Sequence, residues 1–97
     1  MTNDGETVKL TAAERRALAA RGNRLRARLV VGRRGLGESI VAQVRRALEK
    51  TDLVKVRVDA DAREEVDAIA EQLAREVPCH FIQRVGKVVL LYQRPSP

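Results

Sequence analysis

The chain has no tryptophan, one phenylalanine and one tyrosine. Readers of single-stranded nucleic acid usually stack bases on several aromatic side chains, so a base-stacking sheet is not expected here. Cysteine is also scarce. Cys79 stands alone, which excludes an intramolecular disulfide and a Cys-based zinc site of the usual kind. The single histidine, His80, directly follows it. No apolar run approaches the roughly 20 residues of a membrane span. The opening MTNDGETVKL lacks the basic and then apolar pattern of a signal peptide. These absences point to a reducing, cytoplasmic setting with no membrane partner.

What is present is positive charge, unevenly placed. The chain has 97 residues, the size of one domain, and a formal net charge of +6. Residues 1–36 hold nine basic and three acidic side chains, an excess of 9 − 3 = +6. The remaining residues hold ten of each and are neutral. From Arg15 to Gly35 there are eight arginines and no acid. Arginine-rich composition would explain arginine over lysine, but not why acids are missing from one segment only. Such a one-sided field is the footprint of a polyanion binder.

The periodicities place this charge on a fold. Residues 1–9 and 95–97 form polar tails, and 10–94 form the domain. Thr11 and Glu14 have the spacing of a capping box, predicting a helix that stops at Gly22 with an apolar stripe of Ala13, Ala17, Leu18 and Ala20. Leu29-Val30-Val31 is a short strand. Ile40, Val41, Val44, Ala47 and Leu48 recur at helical spacing to about Lys50. Val54, Val56 and Val58 alternate with Lys55 and Arg57, a strand with one buried face. Asp61, with Glu64 three residues on, is placed to cap a third helix, whose stripe is Val66, Ile69, Ala70, Leu73 and Val77. Pro78 ends it. Cys79–Val85 and Val88–Tyr92 form a hairpin across Gly86-Lys87, with Phe81 in the core. The order α-β-α-β-α-β-β implies an α/β (α+β) domain around a four-stranded mixed sheet.

Gly32-Arg33-Arg34-Gly35 falls between a strand and a helix. Glycines permit a sharp turn and close ligand approach. A helix start offers unpaired N–H groups, and two guanidinium groups can grip phosphate in a bidentate way. KH domains clamp nucleotides with a GxxG loop of this kind. The candidate RNA-binding residues are therefore Gly32, Arg33, Arg34 and Gly35, with Arg24, Arg26 and Arg28 extending the basic surface. Arg15, Arg16 and Arg21 are secondary. No Walker A pattern is present. Cys79 and His80 are neighbours on a strand and point to opposite faces, so no nucleophile–base pair is expected. Cys79 is assigned to the interior and His80 to solvent. No enzyme, metal, cofactor or small-molecule substrate is anticipated.

Taken together, VVGRRGLGESIVAQVRRALEKTDLVKVRV and the later QRVGKVVLLY resemble the CRM domain, the chloroplast RNA splicing and ribosome maturation domain, in its stand-alone bacterial YhbY form. The resemblance spans about Leu10 to Arg94. It implies a fold similar to the C-terminal domain of translation initiation factor three. It also implies RNA binding without catalysis and association with precursors of the large ribosomal subunit. The GxxG carries over onto Gly32, Arg33, Arg34 and Gly35, and the basic residue before the first strand onto Arg26. The chain departs from the family pattern at Asn23, Ala27, Gly37 and Gln93. At Gly37 the usual Thr is absent, so the second helix loses a side-chain cap.

The expected function is phosphate-backbone binding to structured ribosomal RNA by a monomer. The first rival is an adaptor of the translation machinery whose basic face meets an acidic protein. The second is a DNA binder, for which no helix-turn-helix or zinc-finger pattern is present.

Overall fold

The computed structural model describes residues 9–95. The tails expected at 1–8 and 96–97 lie outside them. The elements are α1 (Ala12–Gly22), β1 (Leu29–Val31), α2 (Glu38–Lys50), β2 (Leu53–Val58), α3 (Arg63–Glu76), β3 (His80–Val85) and β4 (Val88–Tyr92). One four-stranded sheet has the order β1-β2-β4-β3. β1 runs parallel to β2, with Val31 opposite Val58, and the other pairings are antiparallel. The sheet is mixed because β1 and β2 are joined through α2, whereas β3 and β4 close a two-residue hairpin. Gly86 there has φ +61°, the positive value a type II′ turn requires at its first central position.

The alternation in β2 sorts the two faces. Val54, Val56 and Val58 enter a core with Val31, Val89 and Leu91 from the sheet. Val41, Val44 and Leu48 of α2 and Val66, Ala70 and Leu73 of α3 cover it. Phe81 and Cys79 pack against its edge. On the other face, Leu53 and Leu90 meet Leu10 and Leu18 in a smaller cluster under α1. The result is three layers, with unequal helical cover on the two sides of one sheet.

Three local expectations need correction. In α1 the buried positions are Leu18 and Gly22, while Ala13, Ala17 and Ala20 are exposed. Gly22 does not merely stop the helix. A Cβ there would lie 2.4 Å from Cδ2 of Leu90, so the missing side chain is what lets α1 lie this close to β4. In α3 the N-cap is Ala62, with no side-chain cap, and the Asp61 carboxylate accepts from Arg33 at 2.9 Å. With α3 beginning only at Arg63, Asp61 stands one residue before the N-cap, and its exposed carboxylate pairs with Arg33. Strand β3 begins at His80, not Cys79, since the Cys79 N–H donates to the Ala74 carbonyl at 2.8 Å and finishes the helix end.

The capping box at α1 is present. Thr11 Oγ accepts from the Glu14 N–H at 3.0 Å, and Glu14 Oε1 accepts from the Thr11 N–H at 2.8 Å. With two buried positions, α1 has little apolar support, so this cap carries part of its stability. Thr11→Ala is expected to cost about 1 kcal/mol. That corresponds to a melting midpoint roughly 4–8 °C lower by circular dichroism.

Candidate nucleic-acid interface

Beyond Gly22 the chain folds back through two tight turns. The Arg24 N–H donates to the Arg21 carbonyl at 3.1 Å and the Leu25 N–H to the Gly22 carbonyl at 3.0 Å. Lys55 Nζ then donates to the Leu25 carbonyl at 3.1 Å, fastening the arginine-rich segment beside β2. Between this segment, the start of β2 and the C-terminal half of α2 lies a groove of about 810 Å³. Six cations line it: Arg24, Arg26, Arg28, Arg46, Lys50 and Lys55. No acid does. Among the described residues none of the six forms an ion pair. Their mutual repulsion is relieved by a polyanion.

The carboxylate of Asp52, next in sequence to the groove residue Leu53, is already engaged. Arg21 binds it through two guanidinium nitrogens at 2.7 and 3.1 Å. These hydrogen bonds hold the Asp52 carboxyl below its ordinary value. Arg21 thus serves the protein itself, as does Arg15, whose Nη1 donates to the Phe81 carbonyl at 3.2 Å. The secondary arginines of the first helix are largely anchors of α1 on the sheet.

The Gly32–Gly35 segment forms a four-residue turn at the other end of β1, closed by the Gly35 N–H on the Gly32 carbonyl at 3.0 Å. Gly35 has φ +84°, which disfavours other residues; no such constraint acts on Gly32. The two arginines differ. Arg33 approaches Asp61 at 2.9 Å and Asp59 at 3.7 Å. Asp59 is held in place by its N–H on the Val31 carbonyl at 2.8 Å. Arg34 is exposed and makes no ion pair with a described residue. The turn therefore presents one unengaged guanidinium, not two. Gly37 caps α2 without a side-chain bond, as its lack of a hydroxyl implied. Glu38 occupies the first turn of α2 and competes with any anion for that helix end.

The sequence candidates are thus brought into two places, not one. Arg24, Arg26 and Arg28 share the groove; Gly32–Gly35 lies about 10 Å further along β1, at 3.3 Å per residue. Helix α2 spans both. Ser39, Gln43, Arg46 and Lys50 follow one another at i+4, i+3 and i+4, hence on one face, and Gln43 Nε2 donates to Ser39 Oγ at 3.2 Å. This acid-free stripe runs about 17 Å along the helix, at 1.5 Å per residue. Arg46, Lys50 and Lys55 were not singled out in the sequence. Arg46 and Lys50 sit on the exposed side of an amphipathic helix with Ser39 and Gln43, and that acid-free i+4/i+3 pattern was the available signal.

The alternative chemistry is poorly served. Cys79 packs on the main core, while His80 is half-buried and stacks on Tyr92 on the other face, with ring centroids 6.1 Å apart. His80 is therefore not the solvated side chain expected; the neighbouring ring on β4 covers it. Burial pushes the Cys79 thiol up to about 12. Thiol alkylation at neutral pH is accordingly expected to be at least about tenfold slower in the native protein than in the unfolded chain. Mass spectrometry with and without denaturant reads this directly. Among the described residues no group of three or more His, Cys, Asp or Glu is placed to hold a metal ion. No helix among them is long and apolar enough to cross a membrane.

Similar sequences and a similar solved structure come from several bacteria. The chain is 29% identical over 91 residues to the "Probable RNA-binding protein PA4753" of Pseudomonas aeruginosa, covering 93% of this chain and 88% of that one. It is 29% identical over 84 residues to the "Probable RNA-binding protein YqeI" of Bacillus subtilis, covering 87% and 88%. An "RNA-binding protein" of Haemophilus influenzae is 30% identical over 87 residues, covering 90% and 87%. The solution structure of protein SAV1595 from Staphylococcus aureus superposes with a TM-score of 0.83 at 22% identity, covering 92% of this chain and 93% of that one. The family model of the CRS1/YhbY (CRM) domain matches residues 10–93, the span that contains both the groove and the turn, and the chain belongs to that family.

Proposed function

We propose that this protein binds structured RNA through a continuous surface made of the groove, the α2 stripe and the Gly32–Gly35 turn, with residues 10–94 as the binding module. The convergence of Arg24, Arg26, Arg28, Arg46, Lys50 and Lys55 on one groove without an acid carries this reading. Arg34 extends the surface at the far end of α2. Arg33 contributes by exchanging an exposed carboxylate partner for phosphate, while Gly35 supplies the turn. The naming of its relatives as RNA-binding proteins supports the ligand class. The role is non-catalytic, since the thiol and the imidazole lie on opposite faces of the sheet. The cellular setting proposed is the cytoplasm, where the protein acts as a monomer on ribosomal RNA during assembly of the large subunit.

Protein stripped of nucleic acid, titrated with a duplex-containing ribosomal RNA fragment, tests the reading. Log affinity should fall linearly with log salt, by about 0.7–0.9 per contacted phosphate. Duplex DNA should compete poorly. Absence of RNA binding at low salt, with binding to an acidic protein retained, would establish the adaptor instead. Arg34→Gln should weaken binding by about five- to tenfold at 0.1 M salt, one contact's worth. Sedimentation of cell extracts tests the assembly role, which predicts co-migration with large-subunit precursors.

A further inference from the structure

We infer that the groove holds an unpaired nucleotide, its base on an apolar floor and its flanking phosphates on the cationic rim. This deepens the RNA-binding reading and rests on it. A site for phosphates alone needs only charge. This one also has Leu29, Ala47, Leu53 and Val54 in its lining, of which Leu29 and Ala47 are only half-buried and leave apolar surface open to a ligand as the floor of the groove. Leu25 stands at its mouth, 39% exposed. It is held there rather than tucked away, because its carbonyl accepts from Lys55 and its N–H donates to Gly22.

An exposed leucine fixed beside six cations gains nothing from phosphate, whose hydration an apolar surface would only reduce. It does gain from a flat, weakly polar ring. In a regular duplex the base faces are hidden in the stack, so only an extruded or single-stranded nucleotide can offer one. The volume of about 810 Å³ lies in the range of sites that enclose small organic groups. Guanidinium planes supply the second stacking surface in place of aromatics. With no aromatic in the lining, the groove suits one nucleotide rather than a run of stacked bases. The ligand class is therefore a helical RNA interrupted by a bulge or an unpaired junction nucleotide.

The test compares one hairpin RNA with a perfect stem and the same hairpin with a single bulged adenosine, titrated with the full chain by fluorescence anisotropy. The bulged RNA should bind about tenfold tighter, the worth of roughly 50–60 Å² of apolar surface covered by the base. Leu25→Ser, checked for native melting, should bring the ratio of the two affinities close to one. Equal wild-type affinity for both hairpins would overturn the nucleotide site and leave RNA binding standing. An undiminished ratio in folded Leu25→Ser would overturn it as well. No binding to either hairpin would instead refute the RNA reading itself.

Discussion

Replacing Arg24, Arg26, Arg46 and Lys50 together by glutamine lowers RNA affinity by about two to three orders of magnitude at 0.1 M salt, and flattens the salt dependence by about three units of log–log slope. The magnitude follows from counterion release. Each phosphate neutralised contributes about 0.7–0.9 to the slope, hence nearly a decade of affinity at 0.1 M, and three or four lost contacts compound. The substitutions should spare the fold, because all four side chains are exposed and none forms an ion pair with a described residue. Removing their repulsion should if anything raise the melting midpoint slightly. Arg75→Gln on the exposed face of α3 is the control for net charge, with an expected loss below about threefold. A parallel fall for Arg75→Gln would mean that total charge governs binding; an unaltered slope in the fourfold variant would remove the groove from the interface.

The second large effect is on stability. Gly22→Ala would put a methyl group 2.4 Å from Cδ2 and 2.8 Å from Cδ1 of Leu90. Leu90 is itself 2% exposed, in the cluster with Leu10, Leu18 and Leu53, so the only way it can yield is towards the small cleft of about 170 Å³ that it lines with Asn23 and Lys55. Overpacking of this kind costs about 1–3 kcal/mol, against which the better helix propensity of alanine offsets less than 1 kcal/mol. The melting midpoint should fall by about 5–15 °C. Leu90→Val removes the clashing atoms, so the double variant should be less destabilised than the sum of the two single ones, by about 1 kcal/mol in a denaturant cycle. Additive effects would mean that Leu90 turns aside and that the close approach is not what requires glycine. RNA affinity should fall with Gly22→Ala too, because the displaced helix end carries Arg24–Arg28.

These two expectations show where the sequence was informative and where it was not. The alternation Val54-Val56-Val58 and the stripes of α2 and α3 describe how one element meets the core, and each was legible because the signal is repeated within the element itself. So was the Thr11–Glu14 cap, whose partners are three residues apart. Gly22 was legible only as a helix terminator, because its reason lies in a side chain of β4. Asp61 had the spacing of a cap, but Arg33 on a distant loop takes its carboxylate. The arginines before β1 were visible as a charged segment. That Arg46, Lys50 and Lys55 complete their groove depends on how α2 and β2 cross, which no local pattern records. Conversely, Arg33 and Arg34 are alike in the sequence but differ in their partners, because Asp59 and Asp61 come alongside Arg33 only when β1 pairs with β2.

The two sides of the sheet are held by very different amounts of apolar packing. Fourteen buried residues form the cluster beneath α2 and α3, and four form the one beneath α1. Amide protons of α1 should therefore exchange through a partial opening that leaves the rest of the domain intact, at a free energy well below that of global unfolding. The arginine-bearing segment is tethered to the end of that helix, so each opening would loosen one wall of the ligand site. A bound polyanion then acts as a brace across the weaker layer, and protection from exchange in α1 becomes a measure of occupancy at a distance from the contacts themselves.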